Sequence, residues 1–478
     1  MADVRFTNNP LEYTNLDGVI VTEKSPVPSI IRRGANNVIF IGQFERGPKD
    51  SPQRFSSISE VQNVYGNNPA YSGQKALRLK VWSNLYVIRA VAADAVKAKV
   101  TQTVSTKDLI TLTAKYAGVF GNGIKAVITD GTSASTKKIT ISEGDYVEVF
   151  DNLVINGKTD SELAEIFRTS TLVDVTGSHA TDNIENATLQ LATGSDGSIA
   201  STDYQSALEN GNVNASGKIY VADDNSAAVK AVLANYIKTN KSGVCCLSPA
   251  SLDATVADAV AEADTLLDQE GRVLYCYNPV KYNVLGVIEE EAPALLLASI
   301  LSVTPPSVSP AAAENRVYTQ SAVGVKFALT DANVLTLKES GIIAFEDDED
   351  LGVRVRTPVT GNEQFSIIRR RMSDFLIGTL ARYLKNYQNQ PNSFLNRASI
   401  KAAVIAFDEG LIADKILPSE SDSRVPVLQI QTEGTTTPTE QAQGIQKIVY
   451  KRRIFAEMRF IVLETTIGEG VTVEQVGA

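Results

Sequence analysis

The sequence predicts an α/β (α+β) chain of several domains. Three observations carry this. Continuous apolar runs, such as Val38-Ile39-Phe40-Ile41 and Val244-Cys245-Cys246-Leu247, read as strands buried on both faces. Helical patterns alternate with these runs, as in a parallel or mixed sheet covered by helices. Between them, 97–200 is rich in Thr, Ser, Gly and Asp, and its runs are short and alternating, the pattern of a mostly-β insertion. With 478 residues the chain has room for about three domains.

Composition narrows the function. Apolar residues are 43% and charged residues 21%, the balance of a chain that buries a sizeable core. No apolar run approaches the roughly 18 residues of a membrane span. The start, Met1-Ala2-Asp3-Val4-Arg5-Phe6, lacks the regions of a signal peptide, which points to a cytoplasmic site of synthesis. Cys245, Cys246 and Cys276 lie in apolar surroundings, so reduced core residues are expected and not a disulfide framework. A net charge of −10 disfavours nucleic acid as the partner. The one histidine, His179, rules out a multi-histidine metal site within one chain and leaves a histidine-based nucleophile machine one loop residue to use. It reads as a surface residue. No cofactor and no metal are expected.

Taken in order, 1–36 is an arm and linker. Gly18, Val19, Ile20 and Val21 form a short strand, and Pro26 and Pro28 make a stiff spacer behind it. The first part of a core domain, 37–96, follows. It holds a buried strand from Val38, a helix from Ser57 to Gly66 with Glu60 at capping-box spacing, a helix from Lys75 to Trp82, and a strand from Leu85. The insertion spans 97–200. An α/β domain occupies 201–330, with strands at Ile219–Ala222, Gly243–Pro249 and Arg272–Tyr277.

The C-terminal core domain is expected over 331–463. A helix and a strand lead to the acidic run Glu346-Asp347-Asp348-Glu349-Asp350, read as a solvated turn, and then to the strand from Gly352. Two helices follow. Phe365, Ile368, Met372, Phe375, Leu376, Leu380, Tyr383 and Tyr387 keep helical spacing in the first. The second has two apolar stripes, one through Leu395, Ala398, Ala402, Ile405 and Ala406, the other through Ile400, Val404, Phe407 and Leu411. A helix apolar on both sides is expected between layers. Pro418 to Gln443 reads as a polar, threonine-rich linker. Ile448-Val449-Tyr450 is a strand, Lys451-Arg452-Arg453 a basic break, and Ile454–Leu463 a further strand carrying Met458, Phe460 and Val462 on one face. The last segment, 464–478, is a second arm. Gly468 and Gly470 hinge a short strand with Val471, Val473 and Val476, which can fold back or pair with the sheet edge of another copy.

Catalytic motifs are weak or missing. Gly157-Lys158-Thr159 ends like a phosphate-binding loop, but Asn152 stands where the first glycine belongs. There is no G-x-S-x-G elbow. The window 364–415 has eight basic and four acidic residues, a positive island in an acidic chain. It reads either as a solvated face or as a docking face for an acidic protein surface.

In this order the segments resemble the contractile phage tail sheath family. The resemblance rests on Gly18-Val19-Ile20-Val21 with Pro26, Val38-Ile39-Phe40-Ile41-Gly42, Arg46-Gly47-Pro48, Val64-Tyr65-Gly66 and Tyr86-Val87-Ile88-Arg89. It continues through Tyr116 with Gly118, Gly121 and Asn122, then Gly341-Ile342 before Gly352-Val353-Arg354-Val355. Arg356 departs from the aromatic residue often found there. The resemblance implies a structural subunit, not an enzyme. Such subunits lend terminal strands to a neighbour's sheet and stack as hexameric rings around an inner tail tube, with baseplate and tail terminator proteins as further partners. Contraction then drives the tube through the target cell envelope, without nucleotide, nucleic acid or membrane insertion, in a virion assembled in the bacterial cytoplasm. The arms would be Gly18, Val19, Ile20, Val21, Val471, Val473 and Val476, and the hinges Pro26, Pro28, Gly468 and Gly470. The basic helix with Arg369, Arg370, Arg371, Arg382 and Lys385 would face the tube. A six-residue arm gains about five ladder bonds of around 1 kcal/mol each, against roughly 1–2 kcal/mol per residue of ordering. One arm is therefore marginal, and many must act together. The alternatives are an α/β hydrolase or nucleotide-dependent enzyme, and a non-contractile shell or filament protein.

Overall fold

The computed structural model describes residues 5–7, 20–22, 36–104, 107–177, 184–213, 215, 217–362, 366–423, 426–439 and 445–455. The chain divides into two compact units. One is Ile31–Arg382; the other joins Met1–Ile30 to Tyr383–Ala478. The terminal unit opens with β1 (Arg5–Thr7) and β2 (Ile20–Thr22), which pair in parallel.

The larger unit starts with β3 (Asn37–Gly42), β4 (Gln53–Phe55), α1 (Ile58–Tyr65), α2 (Ser72–Leu77) and β5 (Leu85–Arg89). Ser57 caps α1 by accepting from the Glu60 amide, and Gly66 ends it in the left-handed region, φ 89°. The helix expected from Lys75 to Trp82 instead starts at Ser72 and stops at Leu77. Arg78 is extended, Leu79 takes φ 60°, and the Trp82 indole N–H donates to the Leu77 carbonyl at 3.0 Å.

The insertion comprises β6 (Lys99–Val104), β7 (Lys107–Ala114), β8 (Lys125–Asp130), β9 (Lys137–Glu143), β10 (Tyr146–Leu153), α3 (Asp160–Ile166), β11 (Val173–Thr176) and β12 (Ala187–Gln190). Two sheets, in the orders β10-β9-β8-β12 and β11-β7-β6, share a core of Ile110, Leu112, Ile128, Ile139, Ile141 and Val173. Gly157-Lys158-Thr159 is the turn into α3, where Thr159 and Glu162 form a capping box.

The chain then runs through α4 (Ser201–Asn210), β13 (Lys218–Ala222), α5 (Ala227–Asn240), β14 (Val244–Leu247), α6 (Val256–Leu266), β15 (Val273–Tyr277), β16 (Val280–Val284) and β17 (Val287–Glu291). After these come α7 (Pro293–Val303), β18 (Ala322–Val325), α8 (Asp331–Glu339), β19 (Ile342–Asp348), β20 (Gly352–Val355) and α9 (Ile367–Leu384). One sheet gathers eight of the strands in the order β20-β19-β15-β14-β13-β3-β5-β4. The six inner strands are parallel, and β20 and β4 are antiparallel edges. Val38 and Phe40 point to the face covered by α1, α2 and α7; Ile39 and Ile41 point to the face covered by α4, α5, α6 and α8. A border at 330/331 would cut this sheet, because β15 pairs with β19. All three cysteines are buried and free within it. The acidic run is also not simply a turn. Glu346 and Asp348 belong to β19 and ion-pair with Arg354 across the ladder, and Glu346 also holds Arg356.

In the terminal unit α10 (Phe394–Ala413), α11 (Glu420–Ser423), β21 (Leu428–Gln431) and β22 (Val449–Arg452) follow. The expected linker from Pro418 thus contains α11 and β21. Two residues of the expected basic break lie inside β22, because Lys451 and Arg452 pair with Gln429 and Leu428; Arg453 follows the strand. Of the two stripes on α10, only Ile400, Val404, Phe407 and Leu411 are buried; Leu395, Ala398, Ala402 and Ala406 are exposed, and Ile405 is half-buried.

Candidate assembly site

Of the expected arm residues, Ile20 and Val21 lie in β2. Gly18, Val19, Val471, Val473 and Val476 lie outside the described residues, as do the hinges Pro26, Pro28, Gly468 and Gly470. The same holds for His179, Phe365, Met458, Phe460 and Val462.

The terminal unit holds a second small sheet among the described residues. β21 and β22 form an antiparallel sheet of two strands, joined by a long connection. A two-stranded sheet is marginal alone and gains from added strands. Leu428, Ile430, Val449 and Tyr450 are only half-buried on it. Its base is fixed from below. The buried Asp408 carboxylate of α10 ion-pairs with Arg452 Nε at 2.5 Å and accepts from the Tyr450 hydroxyl at 2.8 Å. Arg452 also donates to the Val427 and Pro418 carbonyls at 3.0 and 2.8 Å. Burial raises the Asp408 carboxyl above its ordinary value, with Tyr450 and Arg452 opposing that rise. Reading Lys451-Arg452-Arg453 as a break hid this set. The signal was the two-residue step that puts Tyr450 and Arg452 on one face.

The basic helix α9 presents a different face from the expected one. Arg369, Arg382 and Lys385 are exposed, but Arg370 and Arg371 are buried. Arg370 pairs with Asp374 at 2.6 Å, and Asp374 also holds Arg272 at 3.1 Å. Arg371 donates to the Leu301 and Thr304 carbonyls at the end of α7, at 2.8 and 2.7 Å, and to Asn36 Oδ1 at 2.8 Å. Burial lowers its pKa to about 10, so it stays charged at neutral pH. These two guanidiniums hold the fold together and do not face a partner.

The sheet also has a topological switch point. From β3 the chain turns to β5 on one side, and from β13 to β14 on the other. Doubly wound sheets take small molecules at such a point, beyond the carboxyl ends of the strands. Here Asp223 lies there with its carboxylate turned inward. It accepts from the Gln43 amide at 2.7 Å, the Ser72 hydroxyl at 2.6 Å and the Tyr204 hydroxyl at 2.8 Å. A side chain at Gly42 would meet this carboxylate within 2.9 Å. The polar groups that converge at the switch point are bonded to one another.

The insertion is tied to the sheet by a bonded neck. Arg89, buried at the end of β5, donates to the carbonyls of Phe44, Glu45, Gly47 and Ala117. Asp196 accepts from the Tyr71 hydroxyl and the Val119 amide. Asn122, from the glycine-asparagine turn, bonds both backbone groups of Gly194. Arg46 stacks over Phe120 and Tyr146.

No protein-family model and no curated protein matches the chain by sequence. Solved structures match its fold. The sheath tail protein of Listeria innocua aligns with TM-score 0.61 at 16% identity, covering 84% of this chain and 89% of that one. The sheath tail protein of Desulfitobacterium hafniense aligns with TM-score 0.60 at 18% identity, covering 92% of this chain and 100% of that one. The helical sheath of the anti-feeding prophage in its contracted state aligns with TM-score 0.58 at 15% identity, covering 95% and 99%. The chain has the fold of these sheath proteins.

Proposed function

We propose that this chain is the structural subunit of a contractile tail sheath. The observation that carries the proposal is the fold likeness over 84–95% of its length to sheath proteins, among them a helical sheath in its contracted state. The subunits polymerise as stacked hexameric rings around an inner tail tube, with baseplate and terminator proteins at the ends. The two-stranded β21–β22 sheet is the natural acceptor for arms from neighbouring copies, around 20–21 and 471–476. Hinges at Pro26, Pro28, Gly468 and Gly470 let core domains rotate as rigid bodies while the strands stay paired. Contraction moves the lattice from an extended, metastable state to a more buried one, with no catalytic step. The bonded groups around Asp223 support this non-enzymatic reading. The tube-facing set reduces to Arg369, Arg382 and Lys385, a basic surface for an acidic tube. The particle belongs to a virion or virion-like device assembled in a bacterial cytoplasm.

Electron microscopy of the purified chain, alone and with its tube protein, tests the proposal. Hollow helical tubes with sixfold end views, in a long and a short state, are expected. Polymers of one fixed length per subunit under all conditions would point to a non-contractile filament instead.

A further inference from the structure

In an Asn-Gly pair the glycine has no Cβ to keep its amide nitrogen away from the asparagine carboxamide, so the side chain is open to attack by its own backbone. The chain carries three such pairs, Asn122-Gly123, Asn156-Gly157 and Asn210-Gly211. The fold treats them differently.

Two of the pairs are held. Asn122 is half-buried, and both ends of its carboxamide are bonded: Nδ2 donates to the Gly194 carbonyl at 3.0 Å, and Oδ1 accepts from the Gly194 amide at 2.8 Å. Its own carbonyl accepts from Gln190 Nε2 at 2.6 Å. Asn210 is the last residue of α4. Its Nδ2 donates to Ser206 Oγ at 3.1 Å and to Asp50 Oδ2 at 3.4 Å. The Gly211 amide donates to the Ala207 carbonyl at 2.9 Å. An amide committed to a helix bond cannot act as a nucleophile until that bond opens.

The third pair is not held. Asn156-Gly157 lies in the turn between β10 and α3. The Lys158 amide donates to the Ile155 carbonyl at 3.1 Å, and Gly157 takes φ 71° at the third position of the turn, where a left-handed angle calls for glycine. Ile155 is buried beneath the turn, while Asn156 and Gly157 are exposed. Among the described residues no group bonds the Asn156 carboxamide or the Gly157 amide, and nothing stands within 4 Å of where a Gly157 side chain would be.

We propose that Asn156 is a site of spontaneous deamidation, the one Asn-Gly pair that the native fold leaves reactive. The Gly157 nitrogen gives its proton to solvent base and bonds to Asn156 Cγ. The Cγ–Nδ2 bond breaks, ammonia leaves, and a cyclic succinimide closes. Water then adds to one of its carbonyls. Opening at Cγ leaves aspartate; opening at the main-chain carbonyl leaves isoaspartate, with the chain routed through the side chain. Nothing is oxidised or reduced, and water is the co-reactant. A neutral amide on the insertion becomes a carboxylate. The inference is independent of the polymerising role proposed above.

The test incubates the full-length chain in mildly alkaline buffer, native and in denaturant, and follows it by peptide mass mapping. In the native chain a gain of one mass unit should appear at Asn156 at least about tenfold faster than at Asn122 or Asn210, since each of those must first open hydrogen bonds. In denaturant the three should change at similar rates. The native rate at Asn156 should also rise with pH, because the attacking nitrogen must lose its proton. Native rates at Asn122 or Asn210 equal to that at Asn156 would overturn the assignment, and so would a native Asn156 that stays intact while the denatured chain is modified. A rate that does not change with pH would overturn the backbone-nitrogen route.

Discussion

Arg369, Arg370 and Arg371 are identical letters with different surroundings. Successive residues on a helix turn by about 100°, so only one of the three can point directly outward. Arg371 lies three residues after Ile368 and four before Phe375, which places it on the buried stripe of α9. That inward position was legible from the spacing; the carbonyls waiting for it at Leu301 and Thr304 were not, since they lie some 70 residues away in sequence. Arg371→Ala should destabilise the larger unit by about 3 kcal/mol, because it leaves buried carbonyls without donors. Arg382→Glu with Lys385→Glu should change stability by less than about 0.5 kcal/mol and weaken tube decoration. Chemical denaturation and a tube-binding assay separate the two outcomes, and equal losses of stability would contradict the assignment. Asp223 makes a pH prediction. Burial pushes its carboxyl up to about 6, against opposing donors. A carboxyl raised on folding binds its proton more tightly in the folded state, so its contribution is greatest at low pH and falls as pH rises through about 4 to 6. Relative to Asp223→Asn, the native chain should lose about 2–3 kcal/mol of stability across that window and little above it. A difference that stays constant with pH, measured by denaturant titration, would contradict this.

At the level of elements, continuous apolar strands and capped helices were the clearest signals, and β3, β13, β14, β15 and α1 lie where the sequence puts them. Elements governed by one backbone angle were not readable. The extended Arg78 that stops α2 early, with the left-handed Leu79 behind it, is an example. β21 was hidden because Leu428-Gln429-Ile430-Gln431 is short, half polar and set among threonines, and its partner is far along the chain. The anchoring of that hairpin gives the element-scale prediction. Asp408→Asn removes the only carboxylate that balances the buried Arg452 among the described residues, at a cost of about 3 kcal/mol. Hydrogen exchange should quicken at Leu428–Gln431 and Val449–Arg452 while the eight-stranded sheet keeps its protection. If the hairpin is the acceptor for arms, the same variant should polymerise poorly although it remains folded. Normal polymerisation with a loosened hairpin would move the acceptor elsewhere.

For the whole molecule, the sequence reads as separate segments what the fold assembles into one sheet. Strands β15 and β19 pair across the helices and hairpins between them, and nothing local to either strand announces the other. The order of the segments was nonetheless enough to indicate the architecture. In the proposed assembly, copies are linked by exchanged strands, with β21–β22 receiving what a neighbour's terminus supplies. Electron microscopy of the full-length chain beside one ending at Gly468 tests it most directly. Hollow tubes or rings are expected from the first and monomers from the second; polymers from both would contradict strand exchange.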